Sequence, residues 1–299
     1  MRKIDRKKEW IVMEHFLIRT DLALESRERL EAEKEEVRGV VFEEIYDEKR
    51  NVLITKVSVE TENGAKAIGK PVGTYVTLEA PELLDPDEGS HREVSEVLSE
   101  QIKTLIKKDI ESVLVVGLGN REVTPDALGP EVVGNLYMTR HILREYGNYA
   151  FSGKKIASIS GIVPGVMAQT GMESLEIIKG IIHETKPQLV IAIDALAARS
   201  VKRLGRTIQL ADTGINPGSG IGNHRKGLNQ ESLGVPVIGL GVPTVVDAFT
   251  IVYDVCQDVE KIPGSLSGMF VTPKNIDETV KNLSYTISEA LNMTFELNF

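Results

Sequence analysis

An α/β fold built on a mostly parallel, doubly wound sheet follows from three features of this chain. Two nearly unbroken apolar runs, Ser112-Val-Leu-Val-Val-Gly117 and Leu189-Val-Ile-Ala-Ile193, have the length and β-branched content of strands covered on both faces. From residue 91 onward such runs alternate with stretches of helical period, the order expected of a parallel sheet wrapped by helices. A length of 299 residues, 41% of them hydrophobic and 26% charged, suffices for one large core.

The first twenty or so residues form a charged tail that leads into Phe16-Leu-Ile-Arg-Thr-Asp21-Leu-Ala-Leu-Glu25. A charge-dense stretch from Ser26 to Glu36 lacks an apolar stripe. Val40 to Ile45 and Val52 to Val59 are β-branched runs on either side of Asp47-Glu-Lys-Arg-Asn51, and Tyr75-Val-Thr-Leu78 repeats the pattern. They predict a hairpin and a third strand, an extra β-rich portion at about 40–80. A turn-rich break at 81–90 precedes an amphipathic helix over about 91–108, with Val94, Val97, Leu98 and Ile102 on one face. Strands are expected near 112–117, 155–160, 188–193, 206–211 and 236–240. Helices are expected near 126–145, 171–185 and 243–257, and a last one carries the stripe Ile276, Val280, Leu283, Ile287 and Leu291. Residues 212–235 form a long glycine-rich loop, a length usually reserved for function.

A net charge of -9 and a pI near 5.3 oppose a general binder of nucleic acid or anionic membrane, whose affinity rests on basic surface. Cys256 is the sole cysteine, so no intramolecular disulfide forms and a cytoplasmic, reducing location is expected. No stretch reads as a signal peptide or a membrane span.

Chemistry in open α/β sheets gathers at the carboxyl ends of the strands. The first buried run ends in Gly117-Leu-Gly119 and then delivers Asp126 beside a helix start; the second ends in Asp194. Two carboxylates in one crevice suit acid and base roles in hydrolysis. Each acid alone is equally compatible with capping a helix or strand end. Arg199 is placed to pair with either acid or with an acidic substrate group, and Gly161-Ile-Val-Pro-Gly165 and Gln169 follow a strand toward the same crevice. Asp247 reads as a helix cap.

Other motifs fall away. Gly117-Leu-Gly-Asn-Arg-Glu122 starts like a dinucleotide fingerprint, but Glu122 stands where a third small residue belongs and would repel pyrophosphate. No Walker sequence and no nucleophile elbow occurs. The five histidines show no paired ligand spacing, and only His224 lies in the long loop, so neither metal nor cofactor is expected.

Taken together, Arg19-Thr-Asp-Leu-Ala23, Val115-Val-Gly-Leu-Gly-Asn120, Val123-Thr-Pro-Asp-Ala-Leu-Gly-Pro130, Gly161-Ile-Val-Pro-Gly165, Ile193-Asp-Ala-Leu-Ala-Ala-Arg199, Asp212-Thr-Gly-Ile and Gly222-Asn-His-Arg225 resemble the germination protease family of spore-forming bacteria. The resemblance spans nearly the whole chain; residues 81–90 and those beyond Leu291 carry no matching motif. It implies an atypical aspartic endopeptidase that acts on small acid-soluble spore proteins in the spore core. It also implies a tetrameric zymogen and a fold similar to hydrogenase-maturation peptidases. The family's aspartates fall on Asp126 and Asp194, the pair already reached from the strand ends. The family's preference for an acid before the cut, then an apolar residue and alanine, fits Asp21-Leu22-Ala23. Residues 1–21 are then a propeptide and 22–299 a single peptidase domain.

On that reading Arg199, Arg225 and His224 are candidates for substrate binding, and Gly117 and Gly119 for backbone donors to an oxyanion. Two alternatives stay open at this level: a metal-dependent peptidase with Asp126, Asp194 and His224 as ligands, and a non-catalytic assembly protein.

Overall fold

The computed structural model describes residues 20–32, 38–84, 88–216, 226–256, 263–266 and 268–295. A nine-stranded mixed sheet runs through them. Its strands are β1 (Val40–Asp47), β2 (Val52–Val59), β3 (Gly73–Glu79), β4 (Ser112–Gly117), β5 (Ser158–Ile162), β6 (Leu189–Ala198), β7 (Thr207–Ala211), β8 (Val237–Asp247) and β9 (Phe270–Val271). The order is β1-β2-β3-β7-β8-β6-β4-β5, with β9 on β8.

Parallel pairing is confined to β5-β4-β6-β8. The expected N-terminal hairpin and third strand are present, and β3 pairs antiparallel with β7, so the β-rich portion extends the main sheet. β7 itself runs antiparallel to β8, because only residues 199–206 separate it from β6, too few for the helical crossover a parallel neighbour needs.

Helices cover both faces of the parallel half. On one lie α3 (Glu88–Leu105), α4 (Leu128–Asn135) and α10 (Ile276–Thr294), which join Val113, Val115, Ile191 and Ile193 in the largest core cluster. The predicted stripe of α10 is buried as expected, except for Ile276, which is only partly covered. On the other face α7 (Ser174–Thr185) and α8 (Gln230–Leu233) pack on Leu114, Val116, Val190 and Ala192.

The remaining helices are α1 (Ala23–Ala32), α2 (Glu62–Ile68), α5 (Arg140–Tyr146), α6 (Met167–Thr170) and α9 (Ala248–Cys256). α2, which no apolar pattern announces, is set by its ends: Thr61 accepts from the Gly64 N–H, and Gly69 closes it in the left-handed region. The helix expected at 126–145 is instead a short turn (Thr124–Asp126), α4 and α5. The break falls at Thr139, whose buried hydroxyl bonds the Ala157 carbonyl and the Ile159 N–H and so ties the chain to β5. The helix expected at 243–257 starts only at Ala248, because β8 continues along β6 and then gains β9. Asp247 is a cap as predicted, accepting from the Thr250 N–H at 3.0 Å.

Gly129 sits in the first turn of α4 against bare backbone. A Cβ there would lie 2.4 Å from the Leu118 carbonyl oxygen and 2.6 Å from that of Ile193. Gly129→Ala should therefore lower stability by about 3 kcal/mol in urea unfolding. A loss under about 0.5 kcal/mol would mean that α4 shifts freely against the strand ends.

Candidate active site

The crevice begins where β4 stops. Beyond Gly117 the chain turns across β6, and the Leu118 N–H donates to the Ile193 carbonyl at 2.8 Å. Gly119 has φ +112, and a Cβ on it would fall 1.9 Å from the Asp126 carbonyl oxygen and 3.2 Å from Oδ1. The Asn120 N–H then donates to Asp126 Oδ2 at 2.7 Å. Asp126 thus holds the loop that precedes it, and its carboxylate is fixed over the end of β4. Gln169 Nε2 donates to Asn120 Oδ1 at 3.1 Å, which brings the 161–171 segment to the same place.

Asp194 lies on β6 next to Ile193, the residue whose carbonyl receives Leu118. It is 5% exposed, and its Oδ1 accepts from the Ala195 N–H at 3.0 Å. The turn that carries Asp126 packs against β6 and β8, so both predicted acids stand at one edge of the sheet. The glycines serve close approach: a Cβ on Gly117 would lie 2.2 Å from the Gly129 carbonyl oxygen. Two amides of this loop, those of Leu118 and Asn120, are spent on holding it in place.

Arg199 closes onto Asp254 at 2.9 Å, and its backbone N–H donates to Glu25 Oε2 at 2.8 Å. His224 and Arg225 lie outside the described residues.

Sequence reasoning missed the way residues 20–25 dock on this face. Leu22 and Ala23 are wholly buried, Leu22 against Leu196, Ala198, Leu204 and Val246. Asp21 pairs with β6 through its N–H, 3.1 Å from the Ala197 carbonyl, and through Oδ2, 2.9 Å from the Ala197 N–H. Its own carbonyl oxygen receives Lys70 Nζ at 2.8 Å and Gln209 Nε2 at 3.0 Å. Buried Glu25 accepts from the N–H groups of Arg199 and Ser200 at 2.8 and 3.0 Å and also bonds Thr20 Oγ1. Burial pushes the Lys70 ammonium below its ordinary pKa, while the carboxylates of Asp21 and Glu25 pull it back. The one sequence cue was Asp21-Leu-Ala-Leu-Glu25 itself, an apolar triplet between acids; Lys70 and Gln209 are remote in sequence and carry no motif.

Register places these groups on one side of the sheet. Asp194 and Gln209 both stand opposite Gly241 of β8, from its two sides. A Cβ on Gly241 would strike Leu196, two residues on from Asp194, so all these side chains share a face. Two strand spacings separate the α-carbons of Asp194 and Gln209 by about 10 Å.

Acids at the glycine-lined strand ends of an α/β sheet make the layout of a hydrolytic enzyme. The germination protease family profile matches residues 17–267. Germination proteases of Caldanaerobacter subterraneus subsp. tengcongensis and Clostridium perfringens are 45% and 41% identical, covering 93% and 95% of this chain and 94% and 96% of their own. That of Bacillus velezensis is 46% identical over 82% of this chain and 68% of its own. The chain belongs to the germination protease family and carries its peptidase role in spore germination. Among solved structures, a [NiFe] hydrogenase maturation protease, HycI, from Thermococcus kodakarensis is 20% identical. It covers 66% of this chain and 99% of its own with a TM-score of 0.34, too distant a likeness to inform the site.

Glu25→Ala would strand the two half-buried N–H donors of Arg199 and Ser200 just past the end of β6. It should cost about 3 kcal/mol and strip hydrogen-exchange protection from residues 21–24. Unchanged protection there would show that apolar packing of Leu22 alone holds the segment.

Proposed function

We propose that Asp126 and Asp194 form the water-activating pair of an endopeptidase that is made as a zymogen and cuts its own Asp21–Leu22 bond. Support comes chiefly from the glycine-permitted turn that sets Asp126 over the end of β4, beside the β6 position of Asp194. Two neighbouring carboxylates do not both ionise easily and share a proton. One takes a proton from water as it attacks the carbonyl carbon, the other gives a proton to the leaving nitrogen, and the pair titrates as a unit. The two acids are assigned acid and base roles because both stand beside the glycine-permitted turn at the end of β4.

The segment ending at Asp21 would be the propeptide. Leu22 is wholly buried in the uncut form, so cleavage requires residues 20–24 to open first, and their docking sets its rate. The substrates would be small acid-soluble spore proteins, met in the spore core by a tetramer of this chain. Among the described residues no helix is long and apolar enough to cross a membrane.

Asp126→Asn and Asp194→Asn should each keep the fold and lower cleavage of a small acid-soluble spore protein by about 10³-fold or more, with EDTA harmless to the unaltered protein. Mass spectrometry of the unaltered chain should find a species beginning at Leu22. Full activity in either variant would overturn the pair. Loss of activity in EDTA, restored by added metal, would turn the same acids into ligands.

A further inference from the structure

Asp21 is held by more contacts than a passing linker needs, and those with Ala197, Lys70 and Gln209 are to its own atoms. The Asp21 N–H and Oδ2 pair with Ala197, and the carbonyl oxygen receives Lys70 Nζ and Gln209 Nε2. None depends on the bond to Leu22. A cavity of about 80 Å³ opens beside it, lined by Asp21, Lys70, Leu196, Gln209, Gly239 and Gly241.

Hydrolysis of that bond changes the chemistry at this spot. Water supplies hydroxide to the Asp21 carbonyl carbon and a proton to the Leu22 nitrogen, and the C–N bond breaks. The products are an α-carboxylate on Asp21 and an α-ammonium on Leu22. A neutral carbonyl already 2.8 Å from a lysine ammonium becomes an anion there, and a charge-assisted contact is roughly twice as strong as a neutral one. The cavity leaves room for its second oxygen, while Thr20 Oγ1, 3.0 Å from the Leu22 nitrogen, can accept from the new ammonium.

We infer that Lys70, Gln209 and the Ala197 backbone form a binding site for a peptide that ends in an aspartate α-carboxylate, and that this site retains the severed tail as a non-covalent inhibitor. The site rests on the proposed cut after Asp21, and it sits on the face that carries Asp194, about 10 Å away across β8. Cutting and release are then separate steps. The lowered proton affinity of Lys70 fits an ammonium enclosed beside a neutral carbonyl, and an added carboxylate would raise it.

The test starts from full-length protein allowed to self-process. Native mass spectrometry should find the 21-residue segment still bound to the body. The tail-free body is then titrated with synthetic peptide 1–21, once as the C-terminal acid and once as the C-terminal amide. The acid should bind about 10-fold tighter or better, and Lys70→Met should bring the two within about 2-fold of each other. Equal binding of acid and amide, no binding of either, or an undiminished preference in Lys70→Met would each overturn the site. The acid–amide comparison on the unaltered body needs no variant, so a misfolded Lys70→Met leaves it decisive. If the chain fails to self-process, the titration is run on protein expressed from Leu22. Binding of the acid there with no cleavage would remove only the self-cleavage reading, whereas cleavage with a freely released tail would remove only this one.

Discussion

Everything at the crevice depends on the first turn of α4 lying directly on the backbone of β4 and β6. Gly117, Gly119 and Gly129 make the contact possible, since a Cβ at any of them would overlap a carbonyl oxygen. Close approach of this kind is a steric condition, met before any charge acts. Once it is met, the Leu118 N–H reaches Ile193, the Asn120 N–H reaches Asp126, and two carboxylates arrive at one edge of the sheet. The glycines thus let the frame close around the two carboxylates.

The second constraint is electrostatic. Asp21 and Glu25 carry acids into a mostly apolar face, and both are met by backbone N–H groups at the end of β6. Lys70 adds the cation that acts on both. Enclosed charges contribute little net stability but are costly to leave without their partners, so such a group fixes where the segment docks more than how tightly. Leu22, Ala23 and Leu24 supply the apolar burial. Within the described residues the contacts thus change from polar at Thr20 and Asp21 to core packing at Leu22 and Ala23.

Much of this was legible in the sequence. Gly117, Asp126 and Asp194 were found from buried runs that end in glycine or acid, because strand ends in α/β sheets advertise themselves by composition. The capping role of Asp247 and most of the α10 stripe were readable for the same local reasons. The sequence suggested Arg199 as a cation for the paired acids or for an acidic substrate group; in the structure its side chain closes onto Asp254, while Lys70, which carries no motif, reaches the Asp21 carbonyl. Nothing local distinguishes Lys70 or Gln209, since each matters through Asp21, 49 residues from Lys70 and 188 from Gln209.

Local pattern by itself determined the α/β class, the covered strands, the last helix and the placing of Asp126 and Asp194 after buried apolar runs, because burial periodicity and glycine placement are properties of short segments. Only the tertiary structure decided that β7 runs antiparallel, that β8 extends to Asp247, and that the hairpin joins the main sheet. It alone decided that Asp21, Lys70, Gln209 and Asp194 share one face. Strand order and register are settled by which surfaces bury each other across the whole chain, and no short window of sequence contains that competition.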